Sequence, residues 1–261
     1  MNKIINSILL ACLLSLMACT NSTPMTETQE KNEVELLSKA DSIVQASIQA
    51  HGAQLFETGH FQFTFRGSSF RFKNSSNSYE YEYRGINKKG DSIHTLLKEN
   101  EVHVWKNGTT IELNEKQKVS YSDNLNSVIY FATLPYKLGD KSVNKTYAGT
   151  TVIKGIAYEV VKVTFDQEGG GTDFDDEYYY WLNAESNLID YLAYNYQVNE
   201  GGVRFRSAYN KRSVGGVIFQ DYVNYKAELG TPLSQLPSLF ESDSLVEIST
   251  IDTEKVTVLT H

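Results

Sequence analysis

Thiols are confined to one end of this chain: Cys12 and Cys19 are the only cysteines in 261 residues. A body folded from the rest of the sequence therefore holds no disulfide, no Cys–His nucleophile and no thiolate metal site. Histidine is sparse and scattered, at His51, His60, His94, His103 and His261, with no HExxH or Cys/His spacing. No serine sits in a G-x-S-x-G elbow. Gly201-Gly202 and Gly215-Gly216 fall between strand-like runs with no helix following, so neither pair builds a phosphate cradle. There is no basic run, and the formal net charge is −8, which makes a poor nucleic-acid binder. No apolar run is long enough to cross a bilayer as a helix. Strand-like and helix-like periods do not alternate, which argues against a βαβ architecture. The sequence names no reaction and calls for no cofactor.

What is present begins at the N-terminus. Lys3 precedes a short apolar run, Ile8-Leu9-Leu10-Ala11-Cys12-Leu13-Leu14, and the segment closes with Leu16-Met17-Ala18-Cys19. That ending resembles the lipobox of bacterial lipoproteins. The resemblance implies a signal peptide over residues 1–18 and a Cys19 diacylated through its sulfur as the membrane anchor. Thr20 rather than Asp after the cysteine implies the outer membrane, and the lack of an acidic run beside it implies the periplasmic face. In an acidic chain the acyl groups, not protein charge, must supply the membrane affinity. Residues 19–32 are polar without apolar period and read as a flexible tether. Residues 33–261 show no internal repeat or second composition shift, and are long enough for one sizeable core, so a single domain is expected.

In EVELLSKADSIVQASIQAHG the apolar residues Val34, Leu37, Ala40, Val44 and Ile48 recur at three and four, predicting one amphipathic helix with Gly52 as its stop. The period then changes to two. Phe61, Phe63 and Phe65 alternate in HFQFTFR, Phe70 and Phe72 in SFRFK, and Tyr79, Tyr81 and Tyr83 with Glu80 and Glu82. Asn107-Gly108 joins EVHVW to TTIEL as a hairpin. YEVVKVTF, DEYYYWL, LIDYLAYNY, GVRFRSAY and VIFQDYVNY continue the series. Residues 122–140 break it: Val128-Ile129-Tyr130-Phe131-Ala132 has no alternation, and Ser122 or Asp123 caps a short helix that Pro135 ends. A buried central strand is the alternative. The expected fold is mainly β (α+β): a curved antiparallel half-barrel meander with an N-terminal amphipathic helix and a central helical plug over its concave face.

This combination resembles the lipoprotein-localisation factor superfamily (LolA/LolB/LppX-like), in which a half-barrel covers a hydrophobic cavity. Tyr180-Trp181-Leu182-Asn183 with the Asn187-Leu188 return matches that family's strand, turn and strand. NSVIYFATLPYKLGD, VTFDQEGGGTDFDDEYYYWLN, IDYLAYNY, GGVRFRSAYNKR and GVIFQDYVNY look like an uncharacterised family of bacterial lipoproteins across most of residues 33–226. The superfamily implies carriage or sensing of lipids or lipidated proteins, without catalysis. Phe61, Phe63, Phe65, Tyr130, Phe131 and Tyr136 are the expected lining of the cavity.

Other candidates weigh against that reading. In QEGGGTDFDDEYYYWLN, Asp173, Asp175 and Glu177 alternate as calcium ligands would, but the glycines precede them and no distal bidentate Glu follows. The expected reading is a turn with solvated acids, a cation site being the alternative. A carbohydrate-acting hydrolase using two of these acids, or a sugar-binding surface of Tyr and Trp, is a second functional class. Docking to an envelope complex is a third. His94 and His103 are expected on one exposed strand face, and Trp105 and Trp181 in the core. Arg204 and Arg206 flank Phe205 on one face and are expected to pair with surface acids, the alternative being anionic headgroups. The oligomeric state has no signature.

Overall fold

The computed structural model describes residues 38–166, 176–197 and 200–260. The signal, Cys19 and the tether, as well as Asp173 and Asp175, lie outside the described residues. Contacts gather Leu37–His261 into one compact unit.

Helix α1 spans Lys39–Ala50, and Ser38 caps it by accepting from the Asp41 backbone N–H. Gly52 follows in the left-handed conformation (φ 65°), where the backbone carbonyl of Gly216 leaves no room for a side chain. Six strands come next: β1 (His60–Phe65), β2 (Ser68–Ser75), β3 (Ser78–Ile86), β4 (Ser92–Lys98), β5 (Glu101–Lys106) and β6 (Thr109–Thr110). Asn107 and Gly108 both have positive φ, the signature of the expected tight hairpin turn. Helix α2, Glu115–Ala132, interrupts the strands. Then follow β7 (Val143–Ile153), β8 (Ile156–Phe165), β9 (Tyr178–Asn183), β10 (Ile189–Tyr196), β11 (Gly202–Val214) and β12 (Val217–Ala227). Helix α3 (Leu236–Glu241) and strands β13 (Val246–Ile251) and β14 (Glu254–Val258) complete the chain.

The strands form two open, curved antiparallel sheets, β14-β1-β2-β3-β4-β5-β6 and β13-β12-β11-β10-β9-β8-β7. The meander is thus one sheet before α2 and another after it, and the last two strands return to close the edges. β13 pairs with β12 in the second sheet, while β14 pairs with β1 in the first. Between them Thr253 is tied to Asp221, which is 3% exposed. The Asp221 Oδ1 accepts from the Thr253 backbone N–H (2.9 Å) and hydroxyl (3.0 Å). Arg212 grips both Asp221 oxygens at 3.0 and 3.1 Å. This two-pronged pair pins the seam where the sheets meet.

Cross-strand rows fill the concave face. Phe61, Phe72, Tyr81 and Leu97 lie opposite one another through β1–β4, as do Phe63, Phe70, Tyr83 and Thr95. They share one core with Ala40, Val44 and Ile48 of α1 and Leu125 and Ile129 of α2. A second core lies on the other face of the second sheet, where Leu233, Leu236 and Phe240 cover Trp181, Tyr191 and Phe205. Strand β9 is therefore buried on both sides, Tyr178 and Tyr180 facing one core and Trp181 the other.

Several expectations need correction. The central helix starts not at Ser122 or Asp123 but at Asn114, through a reciprocal capping box with Gln117 (3.0 Å in each direction). Trp181 is in a core, but Trp105 stands on the outer face, its ring 4.5 Å from that of His94. His94 is only partly exposed, with Nε2 2.7 Å from Glu82 Oε1. Glu82 itself is buried, because Arg71 and Arg84 close over its two oxygens, each at 2.5 Å.

Two stability tests follow from these contacts. Replacing Asp221 with Ala leaves Arg212 without its carboxylate, and since Arg212 is about a quarter exposed the loss falls at the low end of the buried-pair range, about 3 kcal/mol by urea unfolding. His51 is fully buried and donates from Nδ1 to the Ser47 carbonyl (3.1 Å), and burial pushes its imidazole down to about 4. The unfolded chain takes up that proton near pH 6.5 and the fold refuses it until about pH 4. Stability is thus expected to fall as pH drops through this window, by up to about 3 kcal/mol. His51→Gln should flatten the slope of stability against pH in that interval; an unchanged slope would refute the assignment.

Candidate functional site

The second sheet's register builds a graded inner surface. Val161, Tyr180, Leu192, Arg206 and Asn224 stand opposite one another from β8 to β12. Beside them run Val163, Tyr178, Tyr194 and Arg204. Each row is apolar near α1 and polar near the seam. The C-terminal turn of α2 lies against this surface: Phe131 has its ring 5.7 Å from that of Tyr194, and the Tyr130 and Tyr180 hydroxyls bond at 2.8 Å. Tyr180 is fully buried, and burial raises the pKa values of both phenols, so each hydroxyl keeps its proton.

Between helix and sheets is a cavity of about 370 Å³. One part of its wall is Phe63, Phe65, Val128, Phe131 and Ile251; another is Arg66, Asp176, Arg204, Arg206, Gln220 and Asn224. Of the residues expected to line a cavity, the structure places Phe63, Phe65 and Phe131 on this wall. It places the other three elsewhere. Phe61 stacks on Phe72 (5.4 Å) and meets Phe56 (5.2 Å) inside the packed core. Tyr130 turns its ring toward Phe165 and Tyr178. Tyr136 packs edge-on against Phe56 and borders a separate surface groove with Lys137. A turn of the helix decides the outcome at 130 and 131: adjacent positions point about 100° apart, so only one faces the cavity.

Glu177, the described member of the acidic trio, is ion-paired with Lys162, and its backbone N–H donates to Asn195 (2.9 Å). No group of three or more metal-ligating side chains converges among the described residues. Asp176 is the one carboxylate on the cavity wall there, so no pair of acids meets across it.

The arginines depart from expectation. Among the described residues, neither Arg204 nor Arg206 is ion-paired. Arg204 bonds the Tyr196 hydroxyl and its own strand, through the Val203 carbonyl at 3.1 Å. Arg206, 7% exposed, points inward: its Nη2 donates to the Tyr194 hydroxyl (2.9 Å), and its guanidinium lies 4.1 Å from the Phe131 ring centre. Phe205 between them takes the other core, and that outer cover of residues 233–241 turns both arginines toward the cavity. Alternation reveals the shared face but not which side it is.

A family model matches residues 35–253, described as a family of unknown function, DUF6503. The chain belongs to the DUF6503 family. No curated protein matches the sequence. A LolA superfamily protein from Nitrosomonas europaea aligns with a TM-score of 0.50 at 10% identity, covering 86% of this chain and 96% of that one. A putative outer membrane lipoprotein-sorting protein domain from Vibrio parahaemolyticus aligns at 0.44 and 7% identity over 85% and 94% of the two chains. A DUF1329 family protein from Desulfovibrio piger aligns at 0.43 and 9% identity over 85% and 94%. The first of these likenesses establishes the fold: this DUF6503 chain has the LolA-like half-barrel its sequence resembles.

The Tyr130–Tyr180 bond joins α2 to the sheet beneath it. Tyr130→Phe strands a buried hydroxyl and is expected to cost about 1–3 kcal/mol. The double variant Tyr130→Phe/Tyr180→Phe should cost less than the two single changes together, because no orphan remains; strict additivity in urea unfolding would show that the hydroxyls are not coupled.

Proposed function

We propose that this protein is a membrane-anchored envelope lipoprotein that binds a hydrophobic ligand, a lipid or the acyl part of a lipidated protein, in the cavity under α2, as a carrier or sensor rather than an enzyme. The observation that carries the reading is the cavity itself: about 370 Å³ between aromatic strands and a helix end, within the size range of ligand pockets. Burying apolar ligand surface there yields about 25 cal/mol per Å², so a chain of modest length supplies ample affinity without any reactive group. The LMAC sequence ending at Cys19 supports the anchor, with the outer membrane's periplasmic face as the proposed site. No described helix is long and apolar enough to cross a membrane. A tether between Cys19 and the domain would let the half-barrel reach ligands at the bilayer surface while the acyl groups hold it there.

Native mass spectrometry of protein released gently from membranes is expected to show adducts of lipid mass. Val128→Trp, which fills the cavity from the helix side, should abolish them while leaving the protein folded. A clean apo mass for the unaltered protein would refute the proposal.

A further inference from the structure

We propose that the ligand of this cavity is a single-chain amphiphile with an anionic head, and that Arg206 is the residue that recognises the head; this rests on the cavity reading above and narrows it. The guanidinium is more than nine-tenths buried, yet its Nε and Nη1 have no hydrogen-bond partner. Arginine cannot shed its proton to escape burial, so a cation here with open donors carries a desolvation cost that no ion pair among the described residues offsets. Its remaining contacts, the Phe131 and Tyr194 rings and one tyrosine hydroxyl, offer π faces and a neutral acceptor. Parallel N–H groups on a rigid fork are the complement of a carboxylate or a phosphate.

The neighbours agree. Asn224 stands directly opposite Arg206 in the strand register and is equally buried. Its amide bonds only the Ser249 hydroxyl at 3.3 Å, leaving Oδ1 unpartnered. A hydroxyl both donates and accepts, so the amide can turn over without losing that bond and offer a further donor to an anion. Three arginines face one carboxylate, Asp176, on the described wall, giving the polar end a positive balance. Phe63, Phe65, Val128 and Ile251 form the apolar remainder of the same space. The two-ended wall fits an amphiphile, and 370 Å³, near the lower end for ligand pockets, suits one chain rather than several.

The test uses isothermal titration of the full chain with sodium dodecanoate, dodecyl phosphate and dodecyltrimethylammonium, each below its micelle concentration. At least one anion is expected to bind about ten-fold or more tightly than the cation, and the tighter anion tells carboxylate from phosphate. Arg206→Met should bring the three amphiphiles to within about three-fold of one another without abolishing chain binding. Should the variant fail to fold, the preference of the unaltered protein still decides. Equal affinity for all three in the unaltered protein, or a preference that survives Arg206→Met, would overturn the role of Arg206 and leave the cavity reading standing. Absence of binding by every amphiphile would overturn both.

Discussion

The half-barrel depends on a buried charge pair at its seam. Two seven-stranded sheets curve around a common interior, but the chain passes between them at residues 252–253, where β13 ends and β14 begins. Arg212 and Asp221 sit on the second sheet, and through Thr253 they fix the point from which β14 departs to join β1. A salt bridge in a low-dielectric site adds little net stability over an apolar contact, but it tolerates only one geometry. Its value here is positional. With the seam fixed, the open edges cannot slide past each other, and the interior keeps the shape that α2 covers.

That interior is not filled by the strands alone. Rows of Phe and Tyr pack against α1 and against Leu125 and Ile129 of α2, and the packing is dense where Phe61, Phe72 and Phe219 each meet Phe56 edge to face. Toward the seam the rows change to Arg204, Arg206, Gln220 and Asn224. A packed core has no use for such side chains, since each buried polar group without a partner costs free energy. Their placement on one wall, beside open volume, is what separates a binding surface from an imperfect core.

Much of this was legible in the sequence, and the failures have physical causes. Period-two alternation located Phe61, Phe63, Phe70, Phe72 and Tyr81 on the core side because the first sheet has one wet face and one dry one. The second sheet hid its inner side because it is dry on both: Leu236 and Phe240 cover Trp181 and Phe205, so Tyr180-Trp181-Leu182 is a continuous buried run that alternation cannot orient. Arg206 was misread as surface for the same reason. The start of α2 is hidden because residues 115–120 form an exposed helical segment with no apolar stripe; its one local signal is the Asn114/Gln117 box. β13 and β14 are short and largely exposed, and β14 pairs with β1 near the other end of the chain, which leaves no local mark.

The helix end and the polar wall are energetically one unit. Phe131 covers the Arg206 guanidinium on β11, and Tyr130, one residue earlier, bonds Tyr180 on β9, two strands away. A cation–π contact is a weak substitute for an ion pair, and its strength depends on exclusion of water. An anion pairing with Nε and Nη1 would supply the full opposite charge that the ring and the Tyr194 hydroxyl lack. The Tyr130 hydroxyl, by contrast, bonds away from the cavity to a fully buried partner and has no reason to move. The last turn of α2 thus joins a residue bonded to the packed core with one that lines the cavity.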